Sequence, residues 1–90
     1  MKKAKQTAEE LFPEAFTVRN NILILSQMYG VSDSEIARAI NKSPDTWARR
    51  KKEPWSITEY EKKMIAEILH TTVNALYTDI GKQINELMRQ

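Results

Sequence analysis

Four segments of this chain open with helix-starting chemistry, and they follow one another so closely that only short helices fit between them. Ser32-Asp33-Ser34-Glu35 and Thr58-Glu59-Tyr60-Glu61 are capping boxes. In each, a hydroxyl and a carboxylate satisfy each other's free backbone N–H groups. Ser43-Pro44 places an N-cap before a proline at the first helical position, and Asp45 suits the positive end of the helix dipole. Thr71-Thr72 reads as a break and a second cap. Stops are equally local. Gly30 and Asn41 tolerate the left-handed backbone that ends a helix, and Pro54 cannot continue one.

Apolar spacing fills in the elements. Residues 1–12 are polar until Leu11-Phe12 and read as an N-terminal arm or an extra helix. Pro13 suits a first helical turn, and Val18, Ile22, Leu25 and Met28 then recur at helical spacing. The run Ile22–Leu25 alone would also fit a buried strand, but its polar flanks keep the helical period. Ile36, Ala37 and Ile40 form the apolar face of a short helix. The next runs from Pro44 to about Lys52, and a further one buries Tyr60, Met64, Ile65, Ile68 and Leu69. Val73, Tyr77, Ile80, Ile84 and Leu87 follow as a heptad seam, with Gly81 inside it at a cost of about 1 kcal/mol relative to Ala. The expected fold is all-α: one domain over residues 1–90, a compact bundle of five or six helices. Its C-terminal helix, 72–90, folds back on the core or pairs with a second copy.

Composition removes several functions. The chain has 90 residues, no Cys and a single His, His70, so disulfide frameworks, thiolate metal sites and histidine-based catalysis are not expected. No Gly-rich phosphate loop occurs, and so short a chain encloses no deep pocket. An enzyme is therefore the least favoured class, and no cofactor is expected. The longest apolar run, Ile22–Leu25, is far below the ~20 residues of a membrane span, and no hydrophobic stretch follows Lys2-Lys3. A cytoplasmic protein with no membrane partner is expected.

Charge is placed rather than spread. The whole chain carries a net +2. Between Asn41 and Lys52, however, stand Lys42, Arg49, Arg50, Lys51 and Lys52 against Asp45 alone, which is +4 and leaves −2 for the rest. A Lys/Arg stripe on one short helix is an electrostatic footprint for phosphate. A basic run is just as often a solvated face, so charge alone leaves the two readings level. What favours phosphate is coincidence: the basic helix is short, has one large apolar anchor (Trp47), and follows a three-residue turn, Asn41-Lys42-Ser43, after a helix with small Ala37 on its packed face. A small residue where two axes approach and a large one to lock the crossing are what a helix-turn-helix requires.

The stretch Ser32-Asp33-Ser34-Glu35-Ile36-Ala37-Arg38-Ala39-Ile40-Asn41-Lys42-Ser43-Pro44-Asp45-Thr46-Trp47, continued by Arg49-Arg50-Lys51-Lys52-Glu53-Pro54, resembles the helix-turn-helix of Cro-like and phage-repressor-like (Xre-type) regulators. Ile65–Tyr77 is similar to that family's fourth and fifth helices, and the likeness covers roughly residues 18–78. It implies a lambda-repressor-like fold with the helix-turn-helix at 32–53, and a sequence-specific, double-stranded DNA-binding transcriptional regulator of phage or prophage type. Such a regulator works as a homodimer, by occupancy, and blocks or recruits the transcription machinery. Helix 44–52 would lie in the major groove with its N-terminal end toward base edges. Ser43, Pro44, Asp45 and Arg49 are then the base-facing candidates, Arg49 foremost because its fork pairs bidentately with guanine. Lys42, Thr46, Lys51 and Lys52 would hold phosphates, for about four to six contacts per subunit and a steep salt dependence.

Three positions depart from the family. Asp33 stands where Gln often touches a phosphate, and would repel one. Asn41 replaces the turn glycine. Arg50 occupies a usually apolar position and is expected to turn outward to phosphate, leaving Trp47 to pack for both. Because Pro44 and Asp45 are poor base readers, DNA shape would carry part of the specificity. Asp33 and Asp45 also favour the rival reading, a protein-interaction module (an anti-repressor or adaptor) on the same fold without DNA binding.

The remaining residues read more plainly. Trp47 is expected as a buried anchor rather than a base-stacking ring. Trp55 packs under its loop or flanks the DNA backbone. His70 suits a C-cap or surface position, and Glu59, Glu61 and Glu67 suit a cap and a solvated face. Lys2, Lys3 and Lys5 fit a disordered terminus better than a minor-groove arm. Leu11, Phe12 and Phe16 are available to the same interface as the C-terminal seam.

Overall fold

The computed structural model describes residues 6–88, so Lys2, Lys3 and Lys5 lie outside it. The described chain is all-α, as expected, but its helices are more numerous and shorter. They are α1 (Ala8–Leu11), α2 (Pro13–Tyr29), α3 (Asp33–Ala39), α4 (Pro44–Lys52), α5 (Glu59–Ile68), α6 (Val73–Leu76) and α7 (Ile80–Met88), with one 3-10 turn, Pro54–Ser56, between α4 and α5. The expected capping boxes at Ser32/Glu35 and Thr58/Glu61 are both closed, and a third, Thr7/Glu10, starts α1. The segment 1–12 therefore does hold an extra helix.

Among the described residues, three in the left-handed conformation end helices. Gly30 (φ 66°) closes α2, Asn41 (φ 59°) follows α3 and His70 (φ 56°) follows α5. After α3 the N–H of Lys42 reaches back to the Ala37 carbonyl (2.9 Å) and that of Asn41 to Arg38 (3.0 Å). After α5, Thr71 bonds Ala66 and His70 bonds Glu67 in the same pattern. These paired bonds satisfy carbonyls that a helix end otherwise leaves open.

The core is one cluster: Val18, Ile22 and Leu25 of α2, Ile36 and Ala37 of α3 with Ile40 behind it, Trp47 of α4, Ile57, Ile65 and Ala66 of α5 with Leu69, and Leu76 of α6. Met28 is 61% exposed, so the α2 stripe stops short of its expected end. Ser26 takes the last inward place and returns its hydroxyl to the Ile22 carbonyl (2.6 Å). In α5 the inward row is Glu61, Ile65 and Leu69, with Ile68 half-buried, whereas Tyr60 points out at 60% exposure. The expected stripe was displaced by one residue at its start, because a buried ion pair takes the inward position there.

The heptad seam is also interrupted. Chain direction changes between Leu76 and Ile80, and buried Asn21 of α2 holds the bend. Its amide donates to the carbonyls of Leu76 (2.6 Å) and Thr78, and its carbonyl accepts from the Ile80 N–H (3.2 Å). Asp79 then caps α7 by accepting from the Lys82 N–H (2.9 Å). One amide thus pins the backbone either side of the break. α7 packs on α2, with Gly81 next to Ile24, while Leu87 and Met88 are left exposed at 69% and 79%.

Candidate nucleic-acid interface

Helices α3 and α4 pack on one another, joined by residues 40–43, and α5 also packs on α3. Ala37 of α3 is buried, and so is the Trp47 ring of α4. Trp47 is the only buried residue of α4. One anchor therefore seats the helix, and most of its remaining surface faces solvent.

The candidate residues fall into two groups. Lys42, Ser43, Pro44, Asp45, Arg49 and Lys52 are exposed, and Thr46 is half-buried. Ser43 caps α4, its hydroxyl accepting from the Thr46 N–H (3.2 Å) and meeting the Thr46 hydroxyl at 3.1 Å. Beside this helix start lies an open groove of ≈ 450 Å³, lined by Ser34, Arg38, Asn41, Lys42, Ser43 and Pro44. Arg38 is exposed too and adds a cation that charge counting over 41–52 leaves out. The N–H groups of a helix start and two flanking cations make this end attractive to anions.

Arg50 and Lys51 form the second group. Arg50 does not turn outward: its guanidinium grips Glu61 of α5 with Nε on Oε1 (3.0 Å) and Nη2 on Oε2 (3.2 Å). The side chains are 21% and 3% exposed. Burial pushes the Glu61 carboxyl up. The Arg50 fork, the Thr58 N–H (3.0 Å) and the positive charges of Arg50 and Lys42 more than offset that and hold it below the usual glutamate range. Glu61 is thus cap and counter-ion together, not part of a solvated face. The same pair ties α4 to α5.

Lys51 reaches across to α3, its Nζ 2.7 Å from Asp33 Oδ2. The other oxygen of Asp33 accepts from the Trp47 indole N–H (3.1 Å). The hydrogen bond from Lys51 is the largest influence on the Asp33 carboxyl; burial opposes it, and the Trp47 bond and the lysine's charge tip the balance, so the carboxyl lies below its usual range. Asp33 is therefore neutralised locally, which removes much of the repulsion expected of it.

Sequence reasoning missed Arg19. Its Nη1 donates to the Lys51 carbonyl (2.8 Å) at the C-terminal end of α4, and its guanidinium lies 4.9 Å from the Phe16 ring centroid. A cation there suits the negative end of the helix dipole. Trp55 stacks on Phe12 (4.9 Å) beside Phe16 (6.1 Å), so it packs with the start of α2. No sequence signal links these residues, which come from segments more than thirty positions apart. His70 is exposed at a helix end, with Tyr29 edge-on at 5.5 Å. No helix among the described residues is long and apolar enough to cross a membrane. No protein-family model, curated protein or solved structure matches the chain.

Proposed function

We propose that this protein is a double-stranded DNA-binding transcriptional regulator of the Cro-like, phage-repressor-like kind, with α3 and α4 as its helix-turn-helix. The observation that carries the reading is the seating of α4. The helix is seated by its one buried residue, Trp47, and tied to α5 by Arg50, and it leaves Arg49 and Lys52, with Lys42 just before it, exposed and in no ion pair among the described residues. A cationic rod on a rigid base is what entry into a major groove demands. Arg49 is the base reader, and Lys42, Lys52 and the groove at Arg38 hold phosphates. With Arg50 and Lys51 engaged internally, the electrostatic contact is smaller than the full basic stripe would give.

The reading includes a homodimer, since a unit this small gains specificity from two half-sites about one DNA turn apart. The exposed Leu87 and Met88 of α7 and Leu23 of α2 are apolar surface available for it. Cytoplasmic location and contact with the transcription machinery follow from the same reading.

Fluorescence anisotropy with a labelled mixed-sequence duplex at 50 mM salt tests it. Saturable binding that the Arg49→Ala/Lys52→Ala double variant loses supports the reading, and absence of binding by the native protein refutes it. A protein-interaction module is the second reading, favoured by the two cations already spent on Glu61 and Asp33. Retention of a protein partner without any duplex affinity selects it.

A further inference from the structure

Asp33 touches two residues of α4, Trp47 and Lys51, and its two oxygens do different work. Oδ1 accepts the indole N–H of Trp47, whose ring is fully buried. Oδ2 faces the other way, accepts from Lys51 Nζ at 2.7 Å, and belongs to a side chain that is 57% exposed. The indole needs only a neutral acceptor: an amide carbonyl in the same place would satisfy it equally. A full negative charge is not required for that tether, and an exposed ion pair adds little to stability. The charge therefore has another consequence, which is to hold Lys51 against α3 and reduce the positive potential of the α4 surface.

We propose that Asp33 is a positioning residue that restrains DNA binding by occupying Lys51, so that this cation does not count toward phosphate contacts while the carboxylate is present. The inference rests on the DNA-binding reading above. If Lys51 is to reach a phosphate it must leave Asp33, and the abandoned carboxylate then recruits a solution cation. The net counter-ion release on binding is then smaller by about one than the number of cations on the helix would suggest. Because a phosphate contact carries no base information, the restraint lowers affinity for all duplexes alike and leaves discrimination to Arg49 and its neighbours.

The experiment compares native protein, Asp33→Asn, Lys51→Met and the double variant on a preferred and a mixed-sequence duplex, across a salt series starting at 50 mM. Asp33→Asn keeps an acceptor for Trp47, so its thermal midpoint and indole emission should stay native. Its affinity should rise about twofold to fivefold, by the same factor on both duplexes, as one exposed ion pair is exchanged. The slope of log K against log salt should steepen by about 0.9, the signature of one added phosphate contact. Lys51→Met alone should leave the slope near native, and in the Asp33→Asn background it should abolish the gain. A purely structural Asp33 would move neither the slope nor its dependence on Lys51. If the native protein binds and Asp33→Asn has native affinity and slope, or keeps its gain without Lys51, the restraint is refuted while the DNA reading stands. If neither protein binds any duplex, both are refuted.

Discussion

Breaking the Arg50–Glu61 pair should be costly, and more costly from one side than from the other. Glu61 is 3% exposed and Arg50 21%. Arg50→Met keeps the aliphatic stem but strands a carboxylate whose remaining hydrogen bond comes from the Thr58 N–H. Losing one partner of a buried pair costs about 3–5 kcal/mol. This variant belongs toward the lower end of that range, because its carboxylate is almost fully covered in the native fold but lies under a side chain that itself touches solvent. Glu61→Gln strands a guanidinium that already touches solvent and can swing outward, and glutamine still accepts from Thr58. Its cost falls near the value of one charged hydrogen bond, about 1.5–3 kcal/mol. The double variant should be less destabilised than the sum of the two, since no buried charge remains unpaired.

Acidity gives a second readout with a reversed sign. The native Glu61 carboxyl lies below its ordinary value of 4.5, so the pair stabilises the fold above that pH, and the contribution is lost as pH falls through the lowered value. In Arg50→Met, burial without the cation raises the same carboxyl. That variant is then penalised at neutral pH and relieved as pH falls toward the raised value, until other carboxylates protonate. Urea denaturation at pH 7 and pH 5 with indole emission measures both effects. Equal costs below 1 kcal/mol, or a gap between native protein and Arg50→Met that does not narrow at pH 5, would refute the argument.

Other outcomes follow from single contacts. Asn21→Leu removes three hydrogen bonds at the bend before α7 and should cost about 2–4 kcal/mol, with amide protection lost first at Thr78–Lys82 in hydrogen exchange. Gly81→Ala should stabilise by about 0.5–1 kcal/mol, because the added carbon meets only side-chain ends, Ile24 Cδ1 at 3.4 Å and Asp79 Oδ1 at 3.6 Å. A lower midpoint in thermal unfolding would show that α7 packs more tightly there. Trp47→Phe loses the bond to Asp33 as well as ring volume, and should destabilise by about 1–3 kcal/mol. Because asparagine at position 33 still accepts the indole bond, Asp33→Asn combined with Trp47→Phe should be about as stable as Trp47→Phe alone in the same unfolding assay.

The chain's local grammar was legible, and its long-range pairings were not. The boxes at Ser32/Glu35 and Thr58/Glu61, the stops at Gly30 and Asn41, and the end at His70 depend on atoms within five residues, so residue type and spacing suffice. The Thr7/Glu10 box had the same spacing and could have been read the same way. Glu61 could not, because an acid beside a capping threonine is ordinarily solvated and its cation lies 11 positions away. The bend at 77–79 depends on Asn21, more than fifty residues upstream, so the spacing of Val73 to Leu87 gave no warning. Within the candidate site the exposed Lys42, Arg49 and Lys52 could be anticipated from charge and helix position. The fates of Arg50 and Lys51 could not, because each depends on an acid brought in by another helix.

The central claim is that the outward face of α4 is what meets DNA, and backbone amide chemical shifts during titration with a duplex read that face directly. The account predicts that the perturbed amides cluster from Arg38 through Lys52, strongest around Lys42–Arg49, with α7 unmoved apart from effects of dimerisation. Perturbation concentrated on α1, α5 or α7 with α4 silent, or no perturbation at low salt, would contradict it.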